Sequence, residues 1–261
     1  MFLKHIGMTY VKATRLLDLE QATLTNHGIA GDRAFILLDE KGKPLAPGHH
    51  RHFLPLRFDL DTGQSILKMI YPDGRVVEEA CITSDEISEL DYMGMRTVLV
   101  RRVLGDWNRR LQELSGKSVT LVRPVAPGGG IDVLPITLVT TASLRDLETR
   151  MGAEVDYRRF RANLIIECDE PYAEDGWNGR LLHVGAAVLK VRGAVPRCVV
   201  TQLDPDSGAN NARTVAVLQG FRDRVHLPDG LMPEYATPGF ASYAEVALPG
   251  EIFAGDSVTC E

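Results

Sequence analysis

The sequence predicts a mainly β protein with some α, its strands wrapped into closed or nearly closed barrels. Three observations point there. Short β-rich runs recur along the chain, each bounded by a turn signal; helical stripes are few; and there is no internal repeat or low-complexity segment. At 261 residues the chain fits two modest domains or one large β-rich unit. Its 44% hydrophobic and 25% charged residues are ordinary for a soluble globular protein. A net charge of -6 lacks the basic footprint of a nucleic-acid binder. No apolar run approaches a membrane span of about 20 residues. The start, Met1-Phe2-Leu3-Lys4-His5, lacks the long apolar region of a signal peptide, so a cytoplasmic protein without nucleic-acid or membrane partners is expected. Cys81, Cys168, Cys198 and Cys260 lie far apart and form no CxxC pair, which argues against a disulfide scaffold and a structural zinc site.

Taken in order, residues 2–12 read as a first strand and 22–24 as a second. His27 to Arg33 contains two glycines that permit a tight loop. Residues 34–38 form a strand candidate, followed by a hairpin turn at 39–43. Tyr71-Pro72-Asp73-Gly74 is a turn in which proline presets φ and glycine accepts a positive one. Residues 81–95 are weakly patterned and read as loops, and 97–103 as a strand. Asp106 suits a helix N-cap before Trp107, Leu111 and Leu114, with Gly116 as the stop. After a strand at 119–122, the stretch Pro124 to Gly130 is the expected boundary between two halves, 1–123 and 124–261. Residues 136–139 read as a strand, and Thr140 or Thr141 caps a helix carrying Leu144, Leu147 and Met151. A short helix at 156–160 precedes strands at 164–166, 181–184 and 187–191. Thr214 suits a further cap, 227–239 reads as loop, and strands at 243–248 and 257–260 close the chain.

The chemistry centres on Arg192 to Gly208. Pro196 fixes its own φ and lacks a donor, which marks a bend or strand edge. Arg197 precedes Cys198, and a neighbouring cation favours the thiolate, the form that attacks or binds metal. A free cysteine also serves commonly as a small buried hydrophobe. Lys12, Arg33 and Arg161 stand beside small flexible or polar residues, with Asn163 just after Arg161, and cations so placed suit an anionic phosphate ligand. Thr140, Thr141 and Ser143 at a helix start add hydroxyls and N–H groups. His49, His50 and His52 are too close in sequence for a closed tetrahedral metal site. Asp204 and Asp206 flank a proline and read as turn formers.

Several motifs together resemble the MOSC domain proteins, relatives of the C-terminal domain of molybdenum cofactor sulfurase and of the mitochondrial amidoxime reducing component. They are F-R-A-N-L (160–164), E-P-Y-A-E-D-G-W (170–177), P-R-C-V-V-T-Q-L-D-P-D-S-G (196–208), G-F-A-S-Y-A-E-V (239–246) and G-D-S-V (255–258). In the first half, Y-V-K (10–12) and G-I-A-G-D-R (28–33) resemble the β-barrel domain that precedes MOSC domains. The resemblance implies a MOSC-type β-barrel plus an N-terminal β-barrel-like domain, holding a pterin-based molybdenum cofactor. By the same resemblance Cys198 supplies a thiolate to molybdenum, Lys12 and Arg33 hold the phosphate, and Arg161, Asn163, Thr140, Thr141, Ser143 and Arg197 complete the site. Soft sulfur for a soft metal agrees with this.

This chain departs from many relatives at Ala13 in place of serine, Ala162 in place of proline, and Val195 in place of the first cysteine of C-P-R-C. Some bacterial relatives carry a C-terminal ferredoxin domain; with this sequence ending at Glu261, the electron donor is expected to be a separate ferredoxin-, flavodoxin- or cytochrome-type protein. The function implied is a molybdenum oxidoreductase that reduces small N-hydroxylated or N-oxide substrates. Two other classes stay open: a sulfur carrier using a Cys198 persulfide, and a non-catalytic cofactor-binding or handover protein.

Overall fold

The computed structural model describes residues 1–226 and 236–261. The larger sheet runs in the order Val258–Cys260, Leu181–Val184, Ala187–Pro196, Thr237–Leu248, Ile136–Thr140, Leu164–Glu167, Phe2–Met8 and Leu17–Leu19, with Arg224–Val225 added beside Thr237–Leu248. Its two ends meet. Leu3 N donates to Asp256 O at 2.8 Å, Gly255 N to Leu3 O at 2.7 Å and Val258 N to Met1 O at 2.9 Å, so the sheet closes into the expected barrel. Closure removes the exposed edges that an open sheet would present. Inside lie Leu3, Ile6, Leu138, Leu164, Ile166, Leu182, Leu189 and Val191, all fully buried. Burying each side chain of this size contributes roughly 1.5–3 kcal/mol.

Within the barrel, Ile136–Thr140 and Leu164–Glu167 pair parallel, which demands a crossover. The crossover is the helix Thr141–Met151. The Thr140 side chain accepts from Ser143 N, as the sequence predicts, and Gly152 ends the helix at φ 65°. The long strands Ala187–Pro196 and Thr237–Leu248 lose register at three places between Val188 and Pro196. Such bulges bend a strand and re-aim its downstream end. Here they deliver Pro196, Arg197 and Cys198 to the barrel rim.

The first half supplies a four-stranded sheet in the order Ile36–Leu38, Thr120–Pro124, Arg96–Arg102 and Ser88–Tyr92, and a three-stranded meander of Arg57–Asp61, Ile66–Ile70 and Val76–Ala80. The helix Trp107–Ser115 packs Trp107 and Leu111 into the core between them, against Phe35, Phe58 and Leu121. Gly116 stops it at φ 69°, as predicted, but Asp106 makes no side-chain cap. Instead Asp106 Oδ2 accepts from Arg109 Nη2 at 2.7 Å.

The structure corrects several sequence expectations. The division at 123/124 does not match the hydrogen bonding. Phe2–Met8 pairs with Leu164–Glu167, and Gln21–Thr25 pairs with Gly250–Phe253, so the first 29 residues belong to the second half's sheets. Residues 88–92, read as loop, form a strand whose Leu90 and Tyr92 are buried. Val199–Gln202 is a 3₁₀ turn, in which Thr201 N and Thr201 Oγ1 both fold back on Cys198 O at 3.1 and 3.0 Å. Thr214 does not cap its helix, Thr214–Gln219; its hydroxyl donates to Thr201 O at 2.8 Å. Of the predicted 227–239 loop, 227–235 lie outside the described residues, while Thr237 to Gly239 start a strand.

Candidate functional site

A cavity of about 290 Å³ opens where the two halves meet, and Lys12, Arg33, Arg161, Asn163, Arg197 and Cys198 all line it. Two loops bring the first two cations there. The first strand stops at Met8 rather than Lys12, because Thr9 Oγ1 and Thr14 Oγ1 bond back to Val11 O at 3.0 and 2.7 Å and turn the chain. This loop is zipped to the second: Arg33 N donates to Thr9 O at 2.6 Å, Phe35 N to Tyr10 O at 2.9 Å and Lys12 N to Phe35 O at 2.9 Å. Gly130 closes over it from the glycine-rich stretch. A Cβ there would overlap the carbonyl oxygen of Arg33, so only glycine lets the backbones approach this closely.

Arg161 comes from the other half, at the end of the 3₁₀ turn Tyr157–Phe160. Ala13, Arg33, Met93 and Arg161 all line the cavity with positive φ, at 72°, 50°, 60° and 53°. A non-glycine residue in this region costs of order 1–3 kcal/mol, and such strain collects at ligand sites. Asn163 joins the halves. Its Nδ2 donates to Gly7 O and Asp32 Oδ2, both at 3.0 Å, while Oδ1 accepts from Thr137 N at 3.1 Å. Asn163 is therefore a buried brace for Asp32, and Asp32 in turn pairs with Arg33.

The electrostatics of the wall are unequal. Arg33 is held above its ordinary value: burial works against it, but Asp32 and Asp132 outweigh burial. Burial pulls the Lys12 ammonium below its ordinary value, more than its ion pair with Asp132 restores. Arg161 is worse placed. Burial and then the nearby Arg33 pull it below its ordinary value, to about 10. Its Nη1 donates to Thr14 O at 2.8 Å, but its buried Nη2 has no hydrogen-bond partner among the described residues. A buried donor left without a partner costs free energy.

Arg197 lies at the wall with its guanidinium turned to backbone, donating to Phe240 O at 2.7 Å and Phe160 O at 2.9 Å. It thus clamps the residue before Arg161 to the strand Thr237–Leu248. Cys198 is a half-buried free thiol at the cavity. The turn after it is pinned from both halves: Asp206 Oδ1 and Oδ2 accept from Arg158 at 3.0 and 2.6 Å, and Arg15 Nη2 lies 2.9 Å from Asp206 Oδ1.

Thr140, Thr141 and Ser143 are not brought to this cavity. Thr140 Oγ1 and Ser143 Oγ donate to Glu174 Oε2 at 2.8 and 2.9 Å, and Thr141 Oγ1 donates to Cys168 O at 3.3 Å. The hydroxyls enclose a carboxyl 1% exposed, instead of a ligand. Thr137, upstream on the same strand as Thr140, and Thr201 are the threonines that line the cavity. Sequence reasoning also missed Asp32, Asp132 and Tyr92. Tyr92 donates its hydroxyl to Gly130 O at 2.7 Å, and the Lys12 ammonium lies 5.3 Å from its ring centroid. Asp32 stands in the G-D-R motif beside Arg33, a readable signal of a paired cation. Nothing local marks the others.

The Glu174 cage carries a prediction. Burial pushes the Glu174 carboxyl above its ordinary value, although Thr140 and Ser143 pull it down. The folded state therefore holds this proton more tightly than the unfolded chain. The resulting stabilisation is complete below the ordinary carboxylate value of 4.5 and is lost as pH rises through the raised one. Glu174→Gln keeps an acceptor for the two hydroxyls without the charge. The variant should gain several degrees in melting temperature over the wild type between pH 5 and pH 8. A difference that stays constant with pH would show that the carboxyl is ionised throughout.

The fold and the site together define a barrel protein with a cation-lined pocket opening on a lone thiol. The MOSC domain family model matches residues 129–259, half of the chain, and the chain belongs to that family. It is 32% identical over 139 residues to human mitochondrial amidoxime-reducing component 1, covering 53% of this chain and 40% of that protein. It is 24% identical over 264 residues to the molybdenum cofactor sulfurase of Solanum lycopersicum, covering 85% of this chain and 31% of that protein. The matches thus span well under half the length of these relatives. A solved structure, the YUAD protein of Bacillus subtilis, covers 98% of this chain and 92% of its own at a TM-score of 0.45 and 10% identity. Among the described residues no helix is long and apolar enough to cross a membrane.

Proposed function

We propose that this cavity holds a pterin-based molybdenum cofactor and that the protein reduces small N-hydroxylated or N-oxide compounds with electrons from a separate donor protein. The observation that carries the reading is the unpartnered, buried Arg161 Nη2, in a wall with Lys12 and Arg33 that also presents the Cys198 thiol. These residues fit such a group. Lys12, Arg33 and Arg161 suit a phosphate, because charge-assisted hydrogen bonds are the strong ones. Thr137 adds a hydroxyl, and Cys198 offers the soft ligand that molybdenum prefers. When bound, the cofactor supplies a two-electron centre that accepts oxygen from an N–O bond. Net, the N–O bond breaks, two electrons come from the donor protein, and two protons leave with the oxygen as water.

The residues of this chain bind and orient. Arg161 and Lys12 anchor the anionic end, and Arg197 fixes the backbone from which Arg161 projects. The bulged strand and the pinned turn at Asp206 hold Cys198 at the rim. Pro47, Met95 and Val200 give the mouth an apolar wall that excludes water from the reacting bond.

A second reading is a sulfur carrier with a Cys198 persulfide. The similarity to the tomato cofactor sulfurase over 85% of this chain favours it. One experiment tests both. Protein purified from a host that makes the cofactor should contain molybdenum and pterin, and should convert an amidoxime to an amidine with a reduced dye. Metal-free protein carrying cyanide-labile sulfur would favour the carrier. Loaded but inactive protein would favour cofactor handover.

A further inference from the structure

Asp132 lines the cavity among the cations Lys12, Arg33, Arg159, Arg161 and Arg197, while Asp32 lies behind Arg33, and the two carboxylates are built differently. Asp32 is sealed, its side chain 0% exposed. Its oxygens accept from Thr9 N at 2.9 Å, from Asn163 Nδ2 at 3.0 Å and from Arg33 Nη1. Asp132 sits at the edge with its side chain 51% exposed, yet it is held in one place. Its backbone carbonyl accepts from Arg96 Nη1 at 2.8 Å, and its Oδ1 accepts from Lys12 and lies 3.2 Å from the Tyr92 hydroxyl oxygen. Burial pushes its carboxyl up, but Lys12 and Arg33 outweigh burial and keep it below the ordinary carboxylate value. A fixed negative charge thus occupies the Lys12 ammonium, in a wall where the buried Arg161 Nη2 has no hydrogen-bond partner among the described residues.

We propose that Asp132 is a charge-selectivity residue, which limits the negative charge the cavity accepts and favours a ligand ending in one phosphate over one carrying a diphosphate. This rests on the reading of the cavity as the site of a phosphate-bearing ligand. Five cationic side chains line the cavity, and Asp132, with Asp32 behind Arg33, lowers their formal charge from +5 to +3. Coulomb repulsion grows with the charge of the incoming ligand, so Asp132 penalises a diphosphate more than a monophosphate. Asp32 cannot take this role, because its oxygens are already engaged away from solvent.

The test is calorimetric titration of the purified protein with inorganic phosphate and with pyrophosphate at pH 7 and constant ionic strength. Wild type, Asp132→Asn and Asp132→Glu are compared, each checked by its melting curve. Asp132→Asn should tighten pyrophosphate binding at least tenfold and phosphate binding less, which raises the ratio of the two affinities. Asp132→Glu keeps the charge and should keep the wild-type ratio. The proposal is overturned by an unchanged ratio in Asp132→Asn, by weaker binding of both anions, which would make Asp132 only a support for Lys12, or by no binding of either anion to any of the proteins. Failure of the molybdenum reading shows separately, as metal-free wild type from a cofactor-making host, and leaves these titrations standing.

Discussion

Cys198→Ser should abolish amidoxime reduction while the protein keeps its fold and part of its pterin. The substitution changes one atom at a half-buried position, and the backbone there is fixed independently of the side chain. Cys198 O accepts from Thr201 N and Thr201 Oγ1, and the preceding residue, Arg197, is bonded to Phe240 and Phe160. The melting curve should therefore shift little. A serine hydroxyl is hard and mostly protonated, a poor substitute for thiolate on a soft metal. The phosphate contacts of Lys12, Arg33 and Arg161 are untouched, so the anionic end of the cofactor still has its anchors. The other thiols lie away from the cavity wall, and burial raises Cys81 and Cys260 above the ordinary thiol value. Single Cys→Ser variants at 81, 168 and 260 should keep activity within about twofold, as surface or partly buried substitutions usually do. Full activity in Cys198→Ser, or loss in one of the other three alone, would falsify the assignment of the thiol.

The site was legible where chemistry and sequence are adjacent. Lys12, Arg33 and Arg161 each stand beside an alanine, Cys198 stands beside an arginine and two residues after a proline, and the cavity brings all four together. Residues whose role depends on a distant partner were not legible. Thr140 and Ser143 look like phosphate hydroxyls until Glu174, more than thirty residues later, is folded against them. Tyr92 ends a short strand with two buried positions, too few for a period to show. Asp132 lies just beyond three glycines and has no pattern at all. The barrel itself was predictable from its many short strands, but its composition was not. Nothing in residues 2–29 announces that they pair with strands more than a hundred residues away, because the alternation of a strand specifies a buried face and not a partner.

Arg161→Met should lose most of the cofactor and yet leave the empty protein at least as stable as the wild type. Two opposed terms decide this. The guanidinium donates one hydrogen bond to Thr14 O, worth about 0.5–1.5 kcal/mol net. Against it stands the cost of burying the cation, and of holding it next to Arg33, which draws it well below its ordinary value, to about 10. A shift of that size is on the order of 3 kcal/mol. The folded value is the lower one, so the penalty is fully present below about 10 and disappears only as pH rises toward the unfolded value. At pH 7 the penalty therefore exceeds the hydrogen bond. Methionine keeps much of the volume and needs no partner, although residue 161 stays at φ 53°. With an anion bound the balance reverses, because Nη2 gains an acceptor. A charge-assisted bond contributes roughly 1.5–3 kcal/mol, or about tenfold to a hundredfold in affinity. Cofactor content after purification should fall to about a tenth or less of wild type, while the apo-protein melts at an equal or higher temperature. A variant that melts several degrees lower and keeps its pterin would make Arg161 a structural residue and remove the observation on which the phosphate site depends.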